Sequence, residues 1–392
     1  MTAPKLRFKE FSEDYNVSTF QEASIQIIDG DRGNNYPKSD DFYDNEYCLF
    51  LNAGNVTKSG FKFENTQFIN KEKEALLRKG KLQKNDLVIT TRGTVGNIAY
   101  FDESIPFENI RINSGMVIAR SEIDVEPIYL NQFLKSDLFE KWLEKNVFGS
   151  AQPQLTVKLL NSISISYPSK AEQTKIATFL SAVDEKISQL SQKHQLLSQY
   201  KQGMMQKLFS QQIRFKADDG NEFEDWENKI LGDIAFTTTG SSNREDSTEL
   251  SGEYTFFDRS EDIRTSTKYL FDCEALIIPG EGSSFKPKYF MGKFDLHQRA
   301  YAVMQFKNVL AKFLYFSMQY NHQYFQSVAV GSTVKSLRLP MFQNMPIKLP
   351  ALAEQTKIAN FLSSIDQKIG VISEQLEQAK LWKKGLLQQM FV

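Results

Sequence analysis

Arginine and lysine carry N–H donors, and the amides of asparagine and glutamine carry a donor beside an acceptor, so clusters of these side chains can bind a polar ligand without altering it. In this sequence such side chains gather beside turns in two regions. The first holds Arg32, Lys38, Arg92, Thr94, Asn97, Arg111 and Asn113. The second holds Asn243, Arg244, Arg259, Lys286, Lys288, Gln298 and Arg299. Two Gly-Ser stretches add Ser150, Gln152 and Gln154, and Ser332 and Lys335. The chemistry open to these groups is non-covalent: hydrogen bonds to base edges and attraction to phosphate. Taken singly, each such residue is more often an ordinary solvated loop residue than a DNA contact.

Residues that could break bonds do not form a pattern. The chain has no G-x-x-x-x-G-K-[ST] phosphate loop. Gly280-Glu281-Gly282 begins like a dinucleotide-binding turn, but Phe285 stands where the third glycine belongs. There is no Pro-Pro for an amino-methyltransferase tetrapeptide and no Pro-Asp to open a common nuclease motif. Three histidines and two cysteines lie scattered, so neither a metal site nor a nucleophile–base pair is legible. The expectation is a reader or a scaffold with no catalytic residue, no metal and no cofactor bound by this chain.

Composition narrows the class further. Lys and Arg number 47 against 48 Asp and Glu, for a net charge of −1. That speaks against a polybasic nucleic-acid binder, although local patches remain open. The N-terminal segment lacks the apolar core of a signal peptide, and no apolar run approaches the ~20 residues that cross a bilayer. The expectation is a cytoplasmic protein with no membrane contact.

The elements that must position the polar side chains read as alternating types. Asp86–Thr91 and Ile98–Phe101 are β-rich and flank a glycine turn, as do Ala275–Ile278 and Tyr289–Met291. Helical spacing follows over 127–144 and 310–323. Each such region predicts a compact α+β domain.

Between and after them the chain repeats itself. Ala171–Ile187 and Ala353–Ile369 lie 182 residues apart and agree at 13 of 17 positions. The offset holds upstream to Gly149-Ser150 against Gly331-Ser332, and downstream to Phe209 against Phe391. Fainter echoes need other offsets: Arg7-Phe8-Lys9 against Arg214-Phe215-Lys216, and Asp14-Tyr15 against Asp225-Trp226. The organisation is therefore domain 1–167, helix 168–210, domain 211–349, helix 350–392. Matching helices imply a shared structural task, and divergent domains imply two recognition tasks.

Apolar residues in the repeats recur at steps of four and three. Ile176, Leu180, Val183, Ile187 and Leu190 continue this spacing in the first copy, with Phe179 beside them. Ile358, Leu362, Ile365, Ile369 and Ile372 do so in the second, beside Phe361. This 3.5-residue period is that of a coiled-coil seam. With about 140 residues in between, an intramolecular antiparallel pair is favoured over dimerisation between chains. Lys201 and Lys383 interrupt both seams: either their stems snorkel outward, or they contact a partner subunit or DNA phosphate.

The duplicated AEQTKIA-x-FL-x-x-[VI]-D-x-KI segment, following a Gly-Ser stretch and a proline, strongly resembles the specificity subunit of type I restriction-modification systems. The resemblance covers the whole chain. It implies an α+β protein with a pseudo-two-fold repeat. Two target recognition domains, each reading half of a split double-stranded DNA sequence, are held apart by two long antiparallel helices that form an intramolecular coiled coil. It further implies a non-catalytic subunit docked to two modification subunits, which bring S-adenosylmethionine. Two restriction subunits bring ATP- and Mg-dependent translocation and cleavage. Gly331–Leu337 departs from the pattern of Gly149–Leu155, which leaves Gln152 and Gln154 less secure as a shared feature. A coiled-coil adaptor with two protein-binding domains is the competing reading.

Overall fold

The computed structural model describes residues 4–147, 154–243, 247–248, 252–260 and 263–392. Two long helices dominate it, Lys170–Phe209 and Leu352–Met390. Neither contains proline, and each follows one, Pro168 or Pro350, whose fixed φ and missing N–H suit a helix start. Contacts divide the chain into two units, residues 1–190 with 375–392 and residues 191–374. In both, the start of one long helix lies with the end of the other, so the helices run antiparallel. The α+β class with two long helices holds.

In the first unit, four antiparallel strands take the order Ile25–Asp29, Met116–Ser121, Leu87–Thr90, Ile98–Tyr100. A smaller sheet orders Phe68–Ile69, Cys48–Phe50 and Ile110–Arg111. In the second unit a seven-stranded sheet opens with Phe236–Thr239, Ala300–Met304, Phe271–Pro279 and Lys288–Leu296. These four strands repeat the order and antiparallel sense of the first unit's sheet. The strands Tyr254–Phe257, Arg264–Ser266 and Ser247–Thr248 extend it. The expected helix over 127–144 breaks in two, Pro127–Leu134 and Asp137–Asn146. Ser136 caps the break, its Oγ donating to Phe133 O at 2.6 Å.

The seam residues have a double task. Ile176, Leu180 and Val183 are buried in one core with Phe20, Tyr129 and Phe133 of the domain, and with Leu386, Leu387 and Met390 of the second helix. Ile358, Leu362 and Ile365 enter the second unit's core with Phe313, Phe342 and Met205. Phe179, Ile187, Phe361 and Ile369 are half-buried at the margins, and Leu190 and Ile372 are buried. At the helix starts the heptad stripe thus does more than meet the other helix: it also mounts the domain.

The duplicated Glu-Gln dipeptide explains how each domain is fastened. Arg7 Nε and Nη2 each donate to Glu172 at 2.8 Å, and Tyr15 OH donates to the same carboxylate at 3.2 Å. In the second unit Arg214 grips Glu354 at 3.1 and 2.8 Å, with Trp226 Nε1 donating at 3.0 Å. Both carboxylates are buried, and such charge is tolerated only when paired and hydrogen-bonded. Burial, and then Glu172, raise the Tyr15 phenol above its ordinary pKa. Gln173 accepts from Glu126 N at 2.8 Å, immediately before the helix Pro127–Leu134. Gln355 accepts from Leu310 N at 2.9 Å, before the helix Ala311–Tyr320. Their amide nitrogens return to Pro168 O and Pro350 O.

Candidate nucleic-acid interface

Three chain segments meet at one end of the four-stranded sheet, and they do so in both units. In the first, Thr91 N donates to Gly115 O at 2.8 Å, and Leu155 N donates to Thr91 O at 3.1 Å. In the second, Gly280 N donates to Arg299 O at 2.9 Å, and Leu337 N to Gly280 O at 2.8 Å. Thr91 and Gly280 therefore hold the same place, as do Gly115 and Arg299, and Leu155 and Leu337. A fourth segment joins by close approach. A Cβ on Gly30 would lie 2.2 Å from Asn113 O, and one on Gly240 would lie 1.8 Å from Leu296 O.

This junction gathers many of the expected polar residues. Arg92 and Thr94 stand exposed on the turn after Thr91. Arg92 Nε and Nη2 lie 3.2 and 3.0 Å from the side-chain amide of Gln154, whose oxygen accepts both. Glycine makes that turn possible. Gly93 and Gly96 have φ of 72° and 87°, and a Cβ on Gly96 would come within 2.6 Å of Leu143. Arg32 donates to Asp29 at 3.1 Å and to Ser114 O at 3.3 Å, beside the Asn113 turn.

In the second unit the same place carries Glu281. Arg259 Nη1 lies 3.1 Å from Glu281 Oε2, and Arg299 Nη1 lies 3.1 Å from both carboxylate oxygens. Gln298 donates to Asn243 Oδ1 at 2.9 Å. Lys335 donates to Gln326 O at 3.0 Å, while its own carbonyl accepts from Gly282 N at 3.0 Å. Lys286 and Ser332 are exposed. The turn bearing Arg299 is pinned by His297, whose Nδ1 accepts from Arg299 N at 3.0 Å. Burial holds the His297 imidazole below its ordinary pKa, which keeps that nitrogen an acceptor.

Several expected contacts have other tasks. Arg111 is buried and fully engaged, with Nε on Glu74 at 3.0 Å, Nη1 on Lys79 O and Nη2 on Leu77 O. It offers nothing to a ligand, and the expectation for it is corrected. Asn97 is half-buried and donates to Val56 O at 3.0 Å, and Asn113 Oδ1 closes its own turn on Gly115 N at 2.8 Å. Lys288 donates to Ser260 O at 3.0 Å. Lys38 is exposed on a short helical turn at Ser39–Asp41. Ser150, Gln152 and Arg244 lie outside the described residues. Among the described residues no cluster of His, Cys, Asp or Glu could hold a metal ion, and no helix is long and apolar enough to cross a membrane.

Glu281 was not legible as a site residue. Its arginine partners lie 22 residues before it and 18 after it, and no local motif joins them.

Comparison with known proteins places this architecture. A family model described as "Type I restriction modification DNA specificity domain" matches residues 24–199 and 223–381. The EcoDI specificity subunit of Escherichia coli is 29% identical over 154 residues, covering 39% of this chain and 34% of that protein. The MjaVIII specificity subunit of Methanocaldococcus jannaschii is 24% identical over 312 residues, covering 67% of this chain and 69% of that one. The chain thus spans about a third of the length of the first relative and about two thirds of the second. In fold it is similar to the S subunit of a type I system from M. genitalium, with a TM-score of 0.69 at 16% identity over 100% of this chain and 99% of that one.

Proposed function

The chain belongs to the type I restriction-modification DNA specificity family, and from that premise we propose that it is the non-catalytic reader of such a complex. Each unit reads one half of a bipartite double-stranded target. One observation carries this reading: both units present different polar side chains on the same three-segment junction, while their fastenings to the long helices are alike. A device that keeps its mounting and varies its tip is suited to reading two different half-sites. The near-neutral charge fits a chain that leaves much of the phosphate attraction to its partners. Those partners are two modification subunits, which bring S-adenosylmethionine, and two restriction subunits, which bring ATP- and Mg-dependent cleavage. The helices set the unread spacer and dock the modification subunits, and the complex works in the cytoplasm.

Methylome sequencing of a host carrying the full system tests the reading. A single split target is expected. Replacing residues 1–150 by another first domain should change one half-site and leave the other intact. Loss of a protein partner with no change of target would favour the adaptor instead. Four residues inserted into one long helix add ~6 Å of rise, so the spacer should move by ~1–2 base pairs at 3.4 Å each.

A further inference from the structure

We infer that Glu281 is a positioning residue, and that it holds Arg259 and Arg299 as a paired guanine reader in the second unit. The inference rests on the DNA-reading function proposed above and names the residues and base class of one half-site.

Edge use separates these two arginines from the structural ones. Arg7, Arg120 and Arg214 each place Nε and Nη2 together on one carboxylate. Arg111 spends all three of its nitrogens within the protein. That planar two-donor edge is the part of a guanidinium that matches paired acceptors. Arg259 and Arg299 instead touch Glu281 through Nη1 alone. Among the described residues their Nε–Nη2 edges meet no acceptor. Guanine O6 and N7 are such a pair of acceptors.

Exposure and anchoring agree with this. Arg259 and Arg299 are 51% and 56% exposed, whereas Glu281 beneath them is 18% exposed. Two like charges side by side repel, and a shared carboxylate is what keeps them together. The anchor is itself rigid. Glu281 and Ser336 form a bridge, and Gly280 and Gly282 bind Arg299 O and Lys335 O. The Arg299 backbone is held from both sides, by Gly280 N and by His297 Nδ1. A base reader needs such fixation, since an untethered arginine would follow phosphate charge instead.

The test uses the chain assembled with its modification subunits, after the target has been mapped. Guanine is expected in one half-site, on either strand. A half-site pair without guanine overturns the inference while leaving the DNA-reading function standing. Failure to find any split target overturns both. Arg259→Ala and Arg299→Ala should each relax discrimination at guanine positions of that half by roughly 5- to 150-fold, with the other half unchanged. If both variants instead weaken all sequences equally and flatten the salt dependence, the arginines bind phosphate and the base-reading role is wrong. Glu281→Gln removes a negative charge from the surface facing DNA. It should relax the same positions while tightening binding to random DNA. A merely structural glutamate would lose both together, and a merely solvated one would lose neither. Unchanged melting temperatures of the arginine variants establish that the fold is intact.

Discussion

Lys201 Nζ lies 2.6 Å from Asp366 Oδ1 in the second unit, and the same pair recurs one repeat away as Lys383 with Asp184 in the first. Lys201 is therefore bound within the protein. Its stem runs along apolar surface, with the ammonium 5.1 Å from the Phe316 ring. Because Lys201 is 16% exposed and Asp366 36%, the pair is only partly screened by water. Lys201→Glu should place like charges together and destabilise by about 1–2 kcal/mol. The exchange Lys201→Asp with Asp366→Lys should recover most of that, since partly exposed pairs contribute about 1 kcal/mol. Denaturant unfolding of the single and double variants measures it. Equal losses in both would show that packing of the lysine stem, not charge, is what matters.

The Arg214–Glu354 fastening is a stronger case because Glu354 is fully buried. Arg214→Met leaves a buried carboxylate with Trp226 as its one remaining side-chain donor among the described residues, and about 3–5 kcal/mol should be lost. Adding Glu354→Met removes the stranded charge, and the double variant should be more stable than the single one. A double variant weaker than the single would mean that the pair supplies more than it costs. Calorimetry on the full chain decides between the two.

Gly280 sits where two backbones converge. A Cβ there would lie 2.5 Å from Arg299 O and 2.9 Å from the Tyr301 ring. Gly280→Ala should destabilise by about 1–3 kcal/mol, as overpacking does. It should also blur the second unit's half-site while sparing the first. Equal blurring of both half-sites would show that the junction does not act locally.

A pH dependence follows from His297. Its folded pKa is lowered by burial, with Arg299 and Arg259 opposing protonation and Asp258 and Glu281 favouring it. The unfolded chain has the ordinary value near 6.5. As pH falls through that value, the unfolded state takes up a proton that the folded state refuses, so stability drops. Stability from this source is full above about pH 7.5 and declines toward pH 5.5. His297→Asn should lack this slope. Melting curves of both proteins across that range provide the check, and parallel curves would remove His297 as the cause.

The parts of this protein that repeat were legible from its residues. A 3.5-residue apolar period can only be satisfied by a helix with a long contact, so both helices emerge close to where the spacing puts them. The faint echo of Arg7 by Arg214, and of Tyr15 by Trp226, falls on the fastenings, although the glutamates they grip lie 165 and 140 residues from the arginines and no local motif joins them. What the residues could not show was which arginines face inward. Arg111 and Arg299 look alike in sequence, and only the fold brings Glu74 up to one and Glu281 to the other. Nor could they show that Thr91 and Gly280 hold one place. Intervening loops had changed length, so no single offset aligns them.

One last consequence concerns the joints where each long helix gives way to a domain. In the second unit the turn is covalent, and Ile213 N donates to Lys207 O at 3.3 Å. In the first, the corresponding bond runs from Leu6 N to Gln389 O at 2.9 Å, between segments far apart along the chain. One joint is spliced by peptide bonds and the other by hydrogen bonds and side chains, yet equivalent residues of the repeat pair in both. Continuity of the polypeptide is thus no requirement of the joint. The joint is made by what meets there, a helix end and the segment that leads to the Arg–Glu fastening, whether or not a peptide bond links them.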